Sequence, residues 1–134
     1  MIYRAILFLT LTAAPAMADQ VELNTSIQPA EMDRYGCAIR PRPDHLTFSS
    51  FRDSWRSVAA DKLYSLRRYQ QVLDTGRCDC AVLQPDWSII EDEYQNLGFA
   101  DGPSSTYDDW ADAAYFPVIS GLRNTVRDLC EEAE

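Results

Sequence analysis

The sequence predicts an all-α protein, a small antiparallel three-helix bundle with an extended N-terminal arm and disulfide staples. Three observations predict this class: apolar residues recur at helical spacing over three stretches, loop-forming residues separate those stretches, and four cysteines surround them. The chain divides into a cleavable signal peptide over 1–18, an N-terminal arm with a Pro-containing segment over 19–48, and a helical domain over 49–134.

The first 18 residues have the order of a secretory signal. Arg4 precedes an apolar run over 5–14, and the tripeptide Ala16-Met17-Ala18 follows Pro15. The run of roughly ten apolar residues falls short of the ~20 that a membrane-spanning helix needs. We expect cleavage after Ala18, a periplasmic product, and no membrane insertion.

Composition limits the product to one small acidic domain. Removing 18 of 134 residues leaves 116, and the loss of Arg4 takes the formal charge from -9 to -10. This charge disfavours a nucleic-acid partner. Residues 34–77 carry nine basic and four acidic side chains, whereas 78–134 carry two basic and thirteen acidic ones. We expect opposite charges to meet across helix seams; the alternative is a bipolar surface that steers a charged partner.

The arm is expected to be irregular. Residues 19–36 are polar and lack sustained periodicity, which indicates a mobile stretch with one short helical turn near Ala30 to Arg34. Pro41 and Pro43 fix their own φ angles and bias the preceding residues away from helix. The segment from Cys37 onward should therefore be extended.

The first helix is predicted over about 50–75. Ser49 or Ser50 offers an N-cap, and Thr75-Gly76 is typical of a helix end. One apolar face spans more than five turns: Phe51, Trp55, Val58, Ala59, Leu63, Leu66, Tyr69 and Leu73.

The second helix is predicted over about 85–97. Pro85 and Asp86 suit its first turn, because proline needs no N–H partner there and a carboxylate favours the positive helix end. Apolar residues follow at helical spacing, namely Trp87, Ile90, Tyr94 and Leu97. The stretch from Gly98 to Thr106 is a predicted loop.

The third helix should begin at an N-cap on Ser105 or Thr106. Its apolar face comprises Tyr107, Trp110, Ala111, Ala114, Val118, Leu122, Val126 and Leu129. Pro117 lacks a backbone donor and clashes with the preceding turn, so we expect this helix to be kinked or broken near Phe116. Three helices joined by short loops form an antiparallel bundle.

Cys37, Cys78, Cys80 and Cys130 are the candidate disulfide residues, since an even number of cysteines in a small exported protein indicates disulfides. An up-down-up bundle brings Cys130 back to the end that holds Cys78 and Cys80. The extended Pro segment is long enough to bring Cys37 near the same end. The preferred pairing is Cys37 with Cys78 and Cys80 with Cys130, and a Cys78–Cys80 link is the least expected.

Other candidate chemistry is sparse. His45 is a lone loop histidine, and no nucleophile elbow, P-loop, dinucleotide fingerprint or zinc-protease motif occurs. Asp108 and Asp112 lie at i, i+4 spacing, where a solvated acidic face is expected and a weak calcium contact is the alternative. The three tryptophans fall on the apolar helix faces, which indicates core packing. The sequence predicts no enzyme, no cofactor and no metal site.

These observations favour a non-enzymatic exported protein that binds another envelope or periplasmic protein. In bare architecture the chain resembles the small periplasmic helical accessory proteins of envelope machines, including secretion and conjugation systems. The alternative is a thiol-disulfide exchange or metal-handling protein that uses Cys78 and Cys80, since thiols one residue apart can exchange disulfides or bind soft metals. The sequence identifies neither the partner nor the oligomeric state.

Overall fold

The computed structural model describes residues 30–132, which are mostly helical and contain no strand. The predicted signal peptide over 1–18 lies outside the described residues. The α-helices are α1 (Ser54–Thr75), α2 (Cys80–Leu83), α3 (Glu91–Asn96), α4 (Ser104–Trp110) and α5 (Phe116–Glu131). Two 3-10 helices cover Asp44–Leu46 and Trp87–Ile90. No helix within 30–132 is long and apolar enough to cross a membrane.

Helix α1 ends where the sequence predicted and begins later. Gly76 takes the left-handed conformation at φ 65, and its N–H donates to Val72 O over 2.8 Å. Ser50 does not cap α1, because its carbonyl and hydroxyl oxygens both accept from the N–H of Asp53 within a separate turn. The predicted start near 50 is therefore about one helical turn too early.

The second predicted helix is divided. Asp86 accepts from the N–H of Ser88 over 2.9 Å and begins the 3-10 helix Trp87–Ile90, after which α3 covers Glu91–Asn96. Helix α2 precedes this pair and was not predicted, because four residues are too few to show a helical period.

The third helical segment is continuous but irregular. It begins at Ser104, one residue before the earlier predicted cap, and a π-helical turn over Ala111–Tyr115 joins α4 to α5. Phe116 N–H donates to Ala111 O, which is the five-residue step of a π-helix. Pro117 lacks the next N–H, and the irregularity predicted near it takes the form of this turn.

The described part of the arm, residues 30–48, packs against the helices. The predicted helical turn near Ala30 to Arg34 is wrong: Met32 forms an isolated antiparallel bridge with Ala38. The Asp33 carboxylate accepts from the N–H groups of Tyr35 and Cys37, and a local turn of this kind competes with helix. From Cys37 to Pro43 the chain is non-helical, as predicted.

Helix contacts show the direction of the three segments. The start of α1 lies beside α4, with the rings of Trp55 and Tyr107 6.3 Å apart, and its end lies beside α5, where Val72 and Val126 share a buried cluster. The segment from α2 to α3 returns in the opposite sense. Arg68 contacts Leu83 O near the end of α1, and Tyr94 contacts Arg56 O near its beginning.

The predicted apolar face of α1 is only partly buried. Ala59, Leu63 and Leu66 are in the core, whereas Phe51 is 99% exposed and Val58 is 42% exposed. Phe51 lies outside because it precedes the first residue of α1. Among the tryptophans, Trp87 is buried, and Trp55 and Trp110 are partly buried against the core.

Two disulfides are formed, but their pairing is the alternative to the one preferred from sequence. Cys37 bonds Cys80, and Cys78 bonds Cys130. The orientation of α2 determines this pairing. Cys80 is its first residue and Gln84 follows its last, so the two lie four residues apart on one helical face. Gln84 donates to Asp33 in the arm over 2.9 Å, so this face is directed at Cys37. Cys78 precedes the helix and bonds α5.

A candidate binding groove between the arm and the first helix

An open groove of about 340 Å³ lies between the arm, α1 and the segment after α2. We call it the arginine groove and define it by its principal lining residues: Ile39, Arg40, Pro41, Tyr64, Arg68 and Trp87. It combines apolar and aromatic surface with guanidinium groups, which is a common composition for binding surfaces.

Two stacked rings form the rigid floor of the groove. The Tyr64 and Trp87 ring centroids are 4.0 Å apart with an interplanar angle of 11°. Tyr64 Oη donates to Pro85 O over 2.7 Å, and Trp87 Nε1 donates to Arg40 O over 3.3 Å. Burial raises the pKa of the Tyr64 hydroxyl, which keeps it a neutral donor at physiological pH.

Arg40 extends into the groove from the arm. Its Nε donates to Gln84 O over 2.8 Å, which fixes the side-chain stem. The Arg40 terminal nitrogens make no hydrogen bond among the described residues, and their nearest carboxylate contact is Asp86 Oδ2 at 3.8 Å between two exposed side chains. A pair this loose and exposed contributes little.

Arg42 and the groove carboxylates are already satisfied. Arg42 donates to Ser57 O and forms an ion pair with Asp61. The Asp33 carboxylate accepts from two backbone N–H groups and from Gln84 Nε2. Arg42 and Asp61 neutralise each other, whereas Asp33 accepts only from neutral donors and keeps its negative charge in the groove wall.

Arg68 differs from its neighbours, because it has no carboxylate partner within residues 30–132. Its terminal nitrogens donate to Leu83 O over 2.9 Å and to Tyr69 Oη over 3.0 Å, and its guanidinium lies 4.6 Å from the Tyr69 ring centroid. Arg68 Nε is buried without a hydrogen-bond partner. A partly buried cation held by neutral acceptors and rings leaves an unneutralised positive charge at the groove.

The concentration of arginine in the first half has a structural cause. Arg40, Arg42, Arg56 and Arg68 each donate to a backbone carbonyl in another part of the fold. Opposite charges also meet between the two halves, in Arg34–Glu131, Arg40–Asp86 and Arg67–Glu93, and Arg67–Glu93 joins two helices as predicted. Sequence reasoning missed the groove, because no local pattern shows which arginines will meet carbonyls and which will meet carboxylates.

The groove continues along the arm in two further depressions. One, of about 330 Å³, shares Arg40, Pro41 and Trp87 and reaches His45, whose Nε2 lies 2.9 Å from Glu91 Oε1. The other, of about 410 Å³, shares Ile39, Arg40 and Pro41 and reaches Cys80. The three depressions adjoin one another at Arg40 and Pro41 and form an open surface rather than an enclosed cavity.

The four cysteines are all used in disulfides, and none is free among the described residues. Cys78 and Cys80 are joined to different segments, so the structure brings each together with a distant cysteine and not with its neighbour. Asp108 and Asp112 are exposed on the third helical segment. No group of three metal-ligating side chains occurs within the described part of the chain.

Comparison with protein-family models, with curated proteins and with solved structures finds no match to this chain. The functional argument therefore rests on the groove. Its residues can bind an extended segment by apolar contact with Ile39 and Pro41, by stacking on the aromatic floor, and by charge-assisted hydrogen bonds to Arg40 and Arg68.

Proposed function

We propose that this protein is an exported, non-enzymatic domain, an antiparallel three-helix bundle, that binds another envelope or periplasmic protein through the arginine groove. In this proposal residues 1–18 direct export and are cleaved after Ala18. The bound domain serves as an accessory component of an envelope machine, of which secretion and conjugation systems are examples.

The observation that carries the proposal is the amphipathic surface along the arm. Ile39 is 39% exposed and lies beside Arg40, whose terminal nitrogens have one distant and exposed carboxylate partner within residues 30–132. An apolar side chain and an available cation next to a rigid aromatic floor favour protein binding, since arginine and aromatic residues supply much of the energy at protein interfaces.

The test places a photo-crosslinking residue at Ile39 and compares it with the same residue at Val118. These sites are matched in exposure, at 39% and 40%, but Val118 lies on α5 outside the groove. We expect one discrete protein adduct from Ile39 in periplasm and none from Val118. The captured protein should also copurify with the native chain and be lost with Ile39→Asp, provided that this variant retains its melting temperature.

Equal adducts from the two sites, or retention of the captured protein by a folded Ile39→Asp variant, would refute binding through the groove. Export has a separate readout. Intact-mass measurement of periplasmic protein should give a chain that begins at Asp19, whereas retention of Met1 in a membrane fraction would show an anchor.

A thiol-disulfide exchange function has less support. Cys37 is 2% exposed and Cys130 is 5% exposed, and each is bonded to a more accessible cysteine, Cys80 and Cys78 respectively. Exchange would have to begin by opening one of these bonds, because no thiol is free within residues 30–132. A thiol-exchange assay on the purified protein tests this alternative directly.

A further inference from the structure

We propose that the arginine groove recognises a carboxylate side chain within an extended acidic segment of the partner, with Arg68 and Arg40 as its cationic contacts. This inference rests on the proposed function and adds the chemistry of the bound segment. The occupant is therefore an acidic peptide that also carries apolar side chains.

The charge balance inside the groove points to an anion. Arg42 is neutralised by Asp61, and the Asp33 carboxylate is occupied by three donors from the protein. Arg68 has no carboxylate partner among the described residues, and the one contact of Arg40 is long and exposed. The groove lining carries Arg40, Arg42 and Arg68 against Asp33 and Asp61, so its local excess is one positive charge, although the whole chain carries -9.

The acidic surface elsewhere does not cancel this local excess. At physiological ionic strength electrostatic interactions between exposed charges are largely screened beyond about 8 Å. The carboxylates that line the groove or its continuations, among the described residues, are Asp33, Asp61, Asp86 and Glu91. Asp61 is paired with Arg42, whereas Asp86 competes for Arg40. Arg68 has no carboxylate partner among the described residues and therefore provides the main positive charge for an incoming carboxylate.

The remaining donors favour a carboxylate. A guanidinium has five N–H groups in a fixed fork. Arg68 uses one N–H on each terminal nitrogen for Leu83 O and Tyr69 Oη, which leaves one on each. These N–H groups can donate to a carboxylate, and Arg40 adds further donors from the arm.

The apolar surroundings favour a peptide over a free anion. Ile39 is 39% exposed beside Arg40 and can cover apolar groups next to the arginines, with a small contribution from the exposed part of the Trp87 ring. A free small anion would leave the Ile39 side chain in water. Side chains on an extended peptide alternate in direction, so a mixed acidic and apolar segment can satisfy the cations and cover Ile39.

The test measures binding of short N-acetylated peptides in which glutamate and leucine alternate, in both registers. Matched peptides with glutamine in place of glutamate remove the charge and keep the shape. Sodium acetate and inorganic phosphate serve as free anions. Fluorescence anisotropy gives the affinity, and the Trp87 indole N–H signal in NMR reports occupation of the groove.

We expect the glutamate peptide to bind about tenfold more tightly than its glutamine counterpart, because a hydrogen bond to a charged group contributes about 1.5–3 kcal/mol. Arg68→Gln and Arg40→Gln should each remove most of this preference, and Arg68→Lys should retain part of it. Arg52→Gln, at an exposed residue outside the groove, should leave it unchanged.

Several outcomes would overturn the inference. Equal binding of the glutamate and glutamine peptides, or no saturable binding of either, would exclude carboxylate recognition. Equal occupation by acetate or phosphate would exclude a peptide as the preferred occupant. Crosslinking from Ile39 would still stand in each case, so failure of this inference is distinguishable from failure of the proposed function. Arg40→Gln keeps the experiment informative if Arg68→Gln does not fold.

Discussion

Where α1 ends, two disulfides surround the buried aliphatic side chains Val72, Val82, Leu83 and Val126, whereas where α1 begins, Tyr94 and Phe99 pack among other aromatic rings and no disulfide is present. We call these regions the disulfide end and the aromatic end. An aliphatic side chain buries less apolar area than a large aromatic ring. The covalent links therefore lie where the buried side chains are smaller, and four tests of this comparison follow, from the largest expected effect to the smallest.

Phe99→Ala should produce the largest loss. Phe99 is 0% exposed, and its ring contacts those of Trp55, Tyr94 and Trp110. Truncation leaves a cavity at the centre of the aromatic end and should lower the free energy of unfolding by about 3–5 kcal/mol. Phe51→Ala is the control, because Phe51 is 99% exposed, and should have little effect in urea titrations. Equal effects at the two positions would contradict the central role of Phe99.

Removing either disulfide should lower the free energy of unfolding by about 2–4 kcal/mol, slightly less than Phe99→Ala does. The paired variants are Cys37→Ala with Cys80→Ala, and Cys78→Ala with Cys130→Ala. The bonds close chain separations of 43 and 52 residues, so chain entropy alone predicts losses that agree within about 0.2 kcal/mol. Hydrogen exchange should quicken first at the disulfide end. A large difference between the two losses would show that local packing outweighs chain entropy.

Alkaline pH should lower the free energy of unfolding by ionising buried tyrosines, including those at the aromatic end. Burial raises the pKa values of Tyr64 and Tyr94 above the ordinary 10.0. Burial also raises the pKa values of Tyr35, Tyr107 and Tyr115. As pH rises past 10.0 such tyrosines ionise first in the unfolded chain, so their contribution to the free energy of unfolding should be complete below pH 10.0 and decline above it.

Chemical denaturation at neutral and alkaline pH measures this loss. The double variant Tyr64→Phe with Tyr94→Phe should show a shallower alkaline decline. It should also be less stable at neutral pH by about 1 kcal/mol for each lost hydrogen bond, because Pro85 O and Arg56 O lose their donors. An unchanged decline would place the titrating groups elsewhere.

Two glycine substitutions give the smallest effects, in opposite directions. Gly76→Ala forces alanine into the left-handed conformation at φ 65 and should lower the free energy of unfolding by about 1 kcal/mol. Gly121 lies inside α5, and an added Cβ meets nothing within 4 Å, so Gly121→Ala should stabilise by about 0.5–1 kcal/mol. Melting temperatures of the two variants should shift to opposite sides of the native value. Shifts of the same sign would contradict the assigned role of one glycine.

Local sequence patterns predicted the long helices well, because many residues contribute to the same helical period. The end of α1 at Thr75, the glycine cap and the irregularity next to Pro117 each followed from backbone chemistry within a few residues. The start of α1 was less predictable, because a serine such as Ser50 can cap a helix or form a turn. In the structure Ser50 accepts hydrogen bonds from the N–H of Asp53 and forms a turn. Short elements such as α2 have too few residues to show a period.

The candidate site could not be predicted from local sequence patterns. Arg40, Tyr64, Arg68 and Trp87 come from three separate regions of the chain, and their neighbourhood exists only after the arm packs against α1. Trp87 was predicted as a core residue; it is 9% exposed, yet its ring also forms the groove floor. A residue with both roles has the same sequence signal as an ordinary core residue.

The sequence by itself determined the helical class, the main helix end at Gly76, the extended course after Cys37 and the formation of two disulfides, because each depends on backbone chemistry or on residue type. Only the tertiary structure decided that Cys80 forms a disulfide with Cys37 and that Cys78 forms one with Cys130. Two cysteines separated by one residue are nearly equivalent in chain entropy, so sequence separation cannot choose between them. The face that α2 presents to the arm, fixed by the Gln84–Asp33 hydrogen bond, makes that choice.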